Sequence, residues 1–225
     1  LKKSSTRSIR NSSFKHSLAK EAEKVVKILS KLYRESLVER IGKGSPYRVW
    51  VSTVLSQRTR DETTERVSEE FFRHFGSLES LANARVDEIK SLIKSVGFSN
   101  QKAHNLMRAA RMILEKFNGK IPDTEEELLT LPGVGQKTAG CILVYAYGKP
   151  AVPVDTHVHR VSNRLGWVKT KTPEETRQEL VSFLPERLWL PINRIFVLFG
   201  RETCKPRNPK CETCLIRKLC ARVSN

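Results

Sequence analysis

The feature that most constrains this chain is its punctuation. Helix-start residues and glycine stops alternate along nearly its whole length, and strand-like alternation is almost absent. Apolar residues recur at helical spacing at Val25, Ile28, Leu29, Leu32 and Tyr33, and the denser stretch 47–57 predicts a buried helix. Asp61 predicts an N-cap for a helix closing at Gly76, and Ser77 and Val86 open two shorter helices, the second stopping at Gly97. Ser99 or Asn100 caps the next, whose Leu106, Ala110, Ile113 and Phe117 share one face before Gly119. Thr124 with Glu127 predicts a capping box. Later helices carry Val158, Val161 and Leu165 up to Gly166, start at Thr172-Pro173 with Glu175, and cover 191–199. No fixed repeat period shows, and the fold class is all-α.

The most chemically loaded stretch is 131–160. Leu131-Pro132-Gly133-Val134-Gly135 forms a tight hairpin between two helix patterns, and Gly133 and Gly135 are both expected to use positive φ or to admit a close backbone. The outgoing helix starts with uncovered amides, which suits a phosphate. Gly133, Val134 and Gly135 are therefore expected DNA contacts of a kind that grips backbone without reading sequence. Lys137 falls in the first turn of that helix, and Asp155 follows 18 residues later. The helix rises roughly 15 Å, and the extended residues up to Asp155 span about 25 Å, so the chain can return and bring the carboxylate near the amine. A lysine amine beside a phosphate-binding helix start is a candidate nucleophile. Asp155 also suits an N-cap for a helix from Thr156, a role compatible with catalysis. His157, two residues on, is carried as a further DNA contact.

The 225 residues hold 41 Lys+Arg against 24 Asp+Glu, a formal +17, which favours a polyanionic partner, nucleic acid before membrane. No run approaches the roughly 20 apolar residues of a membrane span, and no secretory apolar region shows. The expectation is an intracellular chain, in cytoplasm or nucleoid if the source is prokaryotic. Residues 1–16 are basic and Ser-rich and are expected to form a flexible arm.

Four of five cysteines, Cys204, Cys211, Cys214 and Cys220, crowd the C-terminal end with spacing C-x6-C-x2-C-x5-C. Four thiolates suit tetrahedral zinc or a [4Fe–4S] cluster. Only Cys211 and Cys214 form a close pair, which tilts the reading to iron–sulfur. Between the first two cysteines, Lys205, Arg207 and Lys210 offer three cations to phosphates. Cys141, inside an apolar helix pattern, is a core residue.

Taken together, Leu-Pro-Gly-Val-Gly-Gln-Lys-Thr-Ala, Val-Asp-Thr-His-Val-His-Arg-Val and the cysteine tail resemble the endonuclease III family, the bifunctional branch of the helix-hairpin-helix DNA glycosylases. Leu-Ser-Gln-Arg-Thr-Arg-Asp at 55–61 and Val-Gly-Phe-Ser-Asn at 96–100 extend the likeness, which covers about residues 40–221. The resemblance implies a six-helix domain at 40–150, with the helix-hairpin-helix at 125–147, and a second domain from 17–39 and 151–225 that carries a [4Fe–4S] cluster. It implies a monomer acting on double-stranded DNA that contains damaged bases or abasic sites. By the same resemblance Lys137 attacks C1′ of a flipped nucleotide, Asp155 assists, and β-elimination nicks the strand. Gln57 resembles the residue that fills the gap left by the flipped base. Phe98 resembles an apolar wedge where the family often has Leu. Two other readings stay open: a monofunctional mismatch glycosylase (thymine, uracil or adenine) using an activated water, and a non-catalytic, metal-stabilised DNA-binding module. Adenine glycosylases lack the lysine, thymine mismatch enzymes carry Tyr at its position, and 8-oxoguanine glycosylases generally lack the cluster.

Overall fold

The structure, a computed structural model, describes residues 3–33, 37–42 and 45–224, and for 3–12, 39 and 224 only the backbone. Thirteen α-helices and no strand occur among the described residues. They are α1 (Lys3–Leu29), α2 (Leu37–Gly42), α3 (Pro46–Ser56), α4 (Asp61–His74), α5 (Leu78–Ala82), α6 (Val86–Leu92), α7 (Ser99–Lys116), α8 (Glu125–Thr130), α9 (Gln136–Tyr147), α10 (Thr156–Leu165), α11 (Pro173–Phe183), α12 (Trp189–Glu202) and α13 (Ala221–Ser224). The chain forms two compact units, Leu1–Arg34 with Pro150–Asn225, and Glu35–Lys149.

The first unit wraps α1 against α11 and α12, with α10 packed on α12. Ala22, Val25 and Leu29 of α1 meet Val158, Val161, Ile195 and Phe196, all under 2 % exposed. Each such buried side chain contributes roughly 1.5–3 kcal/mol, so α1 is tied in by its last three turns. Trp167 adds a tilted contact with Phe196 and donates from Nε1 to Glu21 Oε1 at 2.8 Å. Residues 1–2 of the expected arm, and the side chains of 3–12, lie outside the described residues. From Lys3 onward its backbone belongs to α1, because no Gly or Pro interrupts the run to Leu29.

In the second unit α3 is the central helix, packed on α2, α4 and α9, while α7 packs on α5 and α6. Seven consecutive residues of α3, Val49 to Leu55, are buried. Several caps differ from expectation. Asp61 lies inside α4 and Arg60 holds the cap position, since the acid serves equally well in a first turn facing the positive helix end. Neither Ser99 nor Asn100 caps α7; Phe98 does, in the left-handed region with φ 59°. Thr124 Oγ1 accepts from Glu127 N at 3.3 Å, but its hydroxyl meets Glu127 Oε2 at 2.7 Å, so the box closes side chain to side chain.

Candidate functional site

Helices α8 and α9 flank the turn at 131–135. Gly133 has φ +80°, and a Cβ there would stand 2.8 Å from Asn105 Nδ2. Gly135 departs from expectation: its φ is −102°, an extended cap residue, and a Cβ there would meet nothing within 4 Å. It supplies no side-chain cap, and the first backbone bond of α9 runs from Ala139 N to Gly135 O at 2.9 Å. The amides of Gln136, Lys137 and Thr138 thus face outward in the arrangement that binds anions. Val134 holds the turn from within. Its side chain is buried and its N–H donates to Leu131 O at 3.1 Å, closing the turn.

Lys137 is half-buried in the first turn of α9 and has no hydrogen-bond or ion-pair partner among the described residues. Gln57, the cap residue ending α3, donates from Nε2 to Oγ1 of buried Thr138 at 3.0 Å. The second unit therefore gathers Gln57, the hairpin and Lys137 around the start of α9. Phe98 is 66 % exposed, unusual for so large an apolar group.

In the first unit Asp155 is the N-cap of α10. Its Oδ1 accepts from His157 N at 2.8 Å and Val158 N at 2.9 Å. Its other oxygen has no hydrogen bond among the described residues, so the cap fixes the carboxylate's direction and leaves one oxygen available. His157 turns toward α12, where a Cβ on Gly200 would come within 3.0 Å of its ring. Burial holds its pKa below the ordinary imidazole value, against the pull of Asp155. Its half-buried side chain packs against Gly200, which leaves room for it there. Its Nδ1 lies 3.1 Å from Arg160 Nη2.

Cys204, Cys211, Cys214 and Cys220 line one pocket, floored by Val161, Leu165 and Phe199. They ring a space: among the described residues no three potential ligands stand close enough to hold a single ion. Burial pushes the Cys214 thiol up, so a thiolate there needs a cationic metal centre to offset it. An apolar-floored pocket lined by four thiols fits a cubane cluster by its donor set. Arg164 holds the connecting loop, donating to Lys205 O at 2.7 Å, Pro206 O at 3.0 Å and Cys204 Sγ at 3.3 Å. Arg160 adds Nε to Cys204 O at 3.0 Å. Lys205, Arg207 and Lys210 are left exposed on that loop. The sequence reading missed Arg160 and Arg164; their i, i+4 spacing just after Asp155 was the available signal. It also missed Thr138 and Lys102.

The HhH-GPD superfamily of base excision DNA repair proteins matches residues 51–186, and the iron–sulfur binding domain of endonuclease III matches 204–220. Endonuclease III of Thermotoga maritima is 53% identical over 175 residues, 78% of this chain and 82% of that protein. Among solved structures, a non-covalent endonuclease III–DNA complex aligns with TM-score 0.83 and 30% identity, over 92% of this chain and 96% of that one. A trapped covalent endonuclease III–DNA intermediate aligns with TM-score 0.77 and 28% identity, over 90% and 97%. The motifs around the hairpin, the cysteine pocket and these likenesses agree, and the chain belongs to the endonuclease III family of the HhH-GPD base excision repair superfamily.

Proposed function

We propose that this base-excision repair DNA glycosylase and abasic-site lyase removes oxidised pyrimidines from duplex DNA with Lys137 as nucleophile and Asp155 as its assisting carboxylate. The observation that carries the assignment is the Lys137 amine, without a competing partner among the described residues, at the start of a helix whose amides suit a phosphate. The neutral amine forms a bond to C1′ of the flipped nucleotide as the C1′–N bond to the base breaks, and the base leaves with the electron pair and gains a proton. Asp155 supports the positive charge developing on the sugar and helps the amine shed its proton. Opening of the sugar ring gives an iminium between Lys137 and C1′. Loss of a C2′ proton then expels the 3′ phosphate, and water releases the lysine.

The cofactor is a [4Fe–4S] cluster, and we assign Cys204, Cys211, Cys214 and Cys220 as its ligands; bound, it would cross-link four segments of the C-terminal loop. The exposed cations on that loop, with the amides at Gly133 and Gly135, supply phosphate contacts. Gln57 and Phe98 enter the stack beside the lesion. The enzyme acts as an intracellular monomer; no described helix is long and apolar enough to cross a membrane.

Borohydride should trap wild-type protein on a lesion-bearing duplex, and Lys137→Gln should abolish trapping. Undiminished trapping would move the nucleophile elsewhere. Base release without any adduct would favour a water-activating mismatch enzyme, and binding without release would leave a DNA-binding module.

A further inference from the structure

The least expected group in the Glu35–Lys149 unit is a buried lysine. Lys102, near the start of α7, is 5 % exposed. An ammonium withdrawn from water requires compensating partners. Both of its partners are backbone carbonyls, Leu55 O at 3.1 Å and Gln57 O at 2.5 Å. They close the C-terminal end of α3, where a helix leaves its carbonyls without i+4 donors and its dipole is negative.

The two segments joined by this lysine are unusual in themselves. Arg58, after α3, and Phe98, before α7, both adopt left-handed backbone, at φ 54° and 59°, which L side chains avoid. Thr59 Oγ1 accepts from Gly97 N at 3.2 Å, and a Cβ on Gly97 would lie 2.5 Å from Arg58 O. The segments are therefore in close backbone contact. The Gln57 side chain reaches Thr138, the neighbour of Lys137, while Phe98 is left exposed. Two disfavoured turns persist only where their surroundings hold them.

We propose that Lys102 is a positioning residue for lesion recognition: by clamping the Leu55 and Gln57 carbonyls it holds Gln57 and Phe98 as one prepared edge that enters the base stack. The proposal rests on the reading that these two side chains insert into DNA. Lys102 itself is enclosed, so its loss should leave general duplex affinity alone.

The test compares affinity for a duplex carrying a tetrahydrofuran abasic analogue with affinity for the same duplex undamaged. Lys102→Met should lower the ratio about tenfold, and Lys102→Gln, which keeps two donors on a shorter stem, about threefold. Affinity for undamaged duplex should stay within twofold. Gln57→Ala and Phe98→Ala should lower the same ratio, and Lys102→Met with Gln57→Ala should lose little more than the worse single change. If both Lys102 variants discriminate as well as wild type while Gln57→Ala or Phe98→Ala does not, the lysine has no positioning role and the insertion reading stands. If Gln57→Ala and Phe98→Ala both discriminate normally, the insertion reading fails and takes the proposal with it. A parallel loss of undamaged-duplex affinity would make Lys102 merely structural and overturn the proposal. Should Lys102→Met not fold, Lys102→Gln against wild type decides by the same criteria.

Discussion

At the scale of single residues, Asp155 carries two tasks that substitution can separate. Its Oδ1 caps α10 through two amides. Asparagine caps about as well as aspartate but carries no charge. Asp155→Asn should therefore melt close to wild type while single-turnover base removal falls at least about 100-fold, as for loss of one preorganised charge-stabilising group. Asp155→Ala should lose base removal and also about 1 kcal/mol of stability. Equal activity in Asp155→Asn would confine this residue to capping. Lys102 gives a pH signature. Burial pulls its pKa down to about 8, against about 10.4 for a free lysine. Between those values the unfolded chain binds the proton and the folded chain does not, so stability should rise with pH across that window and the burial cost should persist below pH 8. Urea unfolding of wild type at pH 7.5 and 10.5 should show a gain of up to about 3 kcal/mol that Lys102→Gln lacks. The two carbonyls favour the ammonium and make that figure an upper bound.

At the scale of elements, the two hairpin glycines were read alike from sequence and prove different. Gly133 needs φ +80° and lies against Asn105, so Gly133→Ala meets both backbone strain and a contact at 2.8 Å. It should cost on the order of 1–2 kcal/mol, measured by denaturant unfolding. Asn105→Ala should not rescue it, because the Asn105 Cβ is itself only 3.0 Å away. Gly135 has ordinary backbone and open space before it, so Gly135→Ala should fold within about 1 kcal/mol of wild type. Its duplex affinity should nonetheless drop several-fold, because the added methyl occupies the approach to the α9 amides. The helix α9, its lysine and the cap at Asp155 were legible because caps, stops and apolar spacing are local signals. The cap at Phe98 was not, because a left-handed aromatic cap depends on a tertiary clamp that no local pattern records. Lys102 left a faint trace: it sits four residues before Leu106, in line with the apolar stripe, where a surface lysine is out of place.

At the scale of the whole molecule, a formal charge of +17 makes duplex binding a matter of counter-ion release, and the cysteine loop decides how much of that charge is usefully placed. Residues 204–220 have almost no core of their own, with Ile216 the one buried side chain among them. Most of their backbone bonds are local turns, such as Cys214 N to Cys211 O and Arg217 N to Cys214 O, at 3.3 and 3.1 Å, with Lys210 N to Thr203 O at 3.0 Å bridging the base of the loop. The side chains of Arg160 and Arg164 grip the start of this stretch, and at its end Cys220 Sγ donates to Arg164 O at 3.3 Å. The spacing of the cysteines tilted the sequence reading from zinc to iron–sulfur, whereas the i, i+4 arginines left only their spacing as a signal, since their acceptors are carbonyls that any residue carries. A segment so built needs its metal centre to stay folded. Lys205→Ala, Arg207→Ala and Lys210→Ala should each lower the slope of log affinity against log salt by about 0.9 if the side chain meets a phosphate. Cys214→Ser should bleach the iron–sulfur absorbance, raise hydrogen exchange at 204–220, and lower the slope about as far as the three substitutions combined. The buried helices α10 and α12 should keep most of their protection, because Val158, Ile195 and Phe196 share their core with Ala22, Val25 and Leu29 of α1, and the loop adds Ile216 as its one buried member. A cluster-free protein with an unchanged salt slope would show that the loop is held by its arginines alone and that the cluster does not place these cations on DNA.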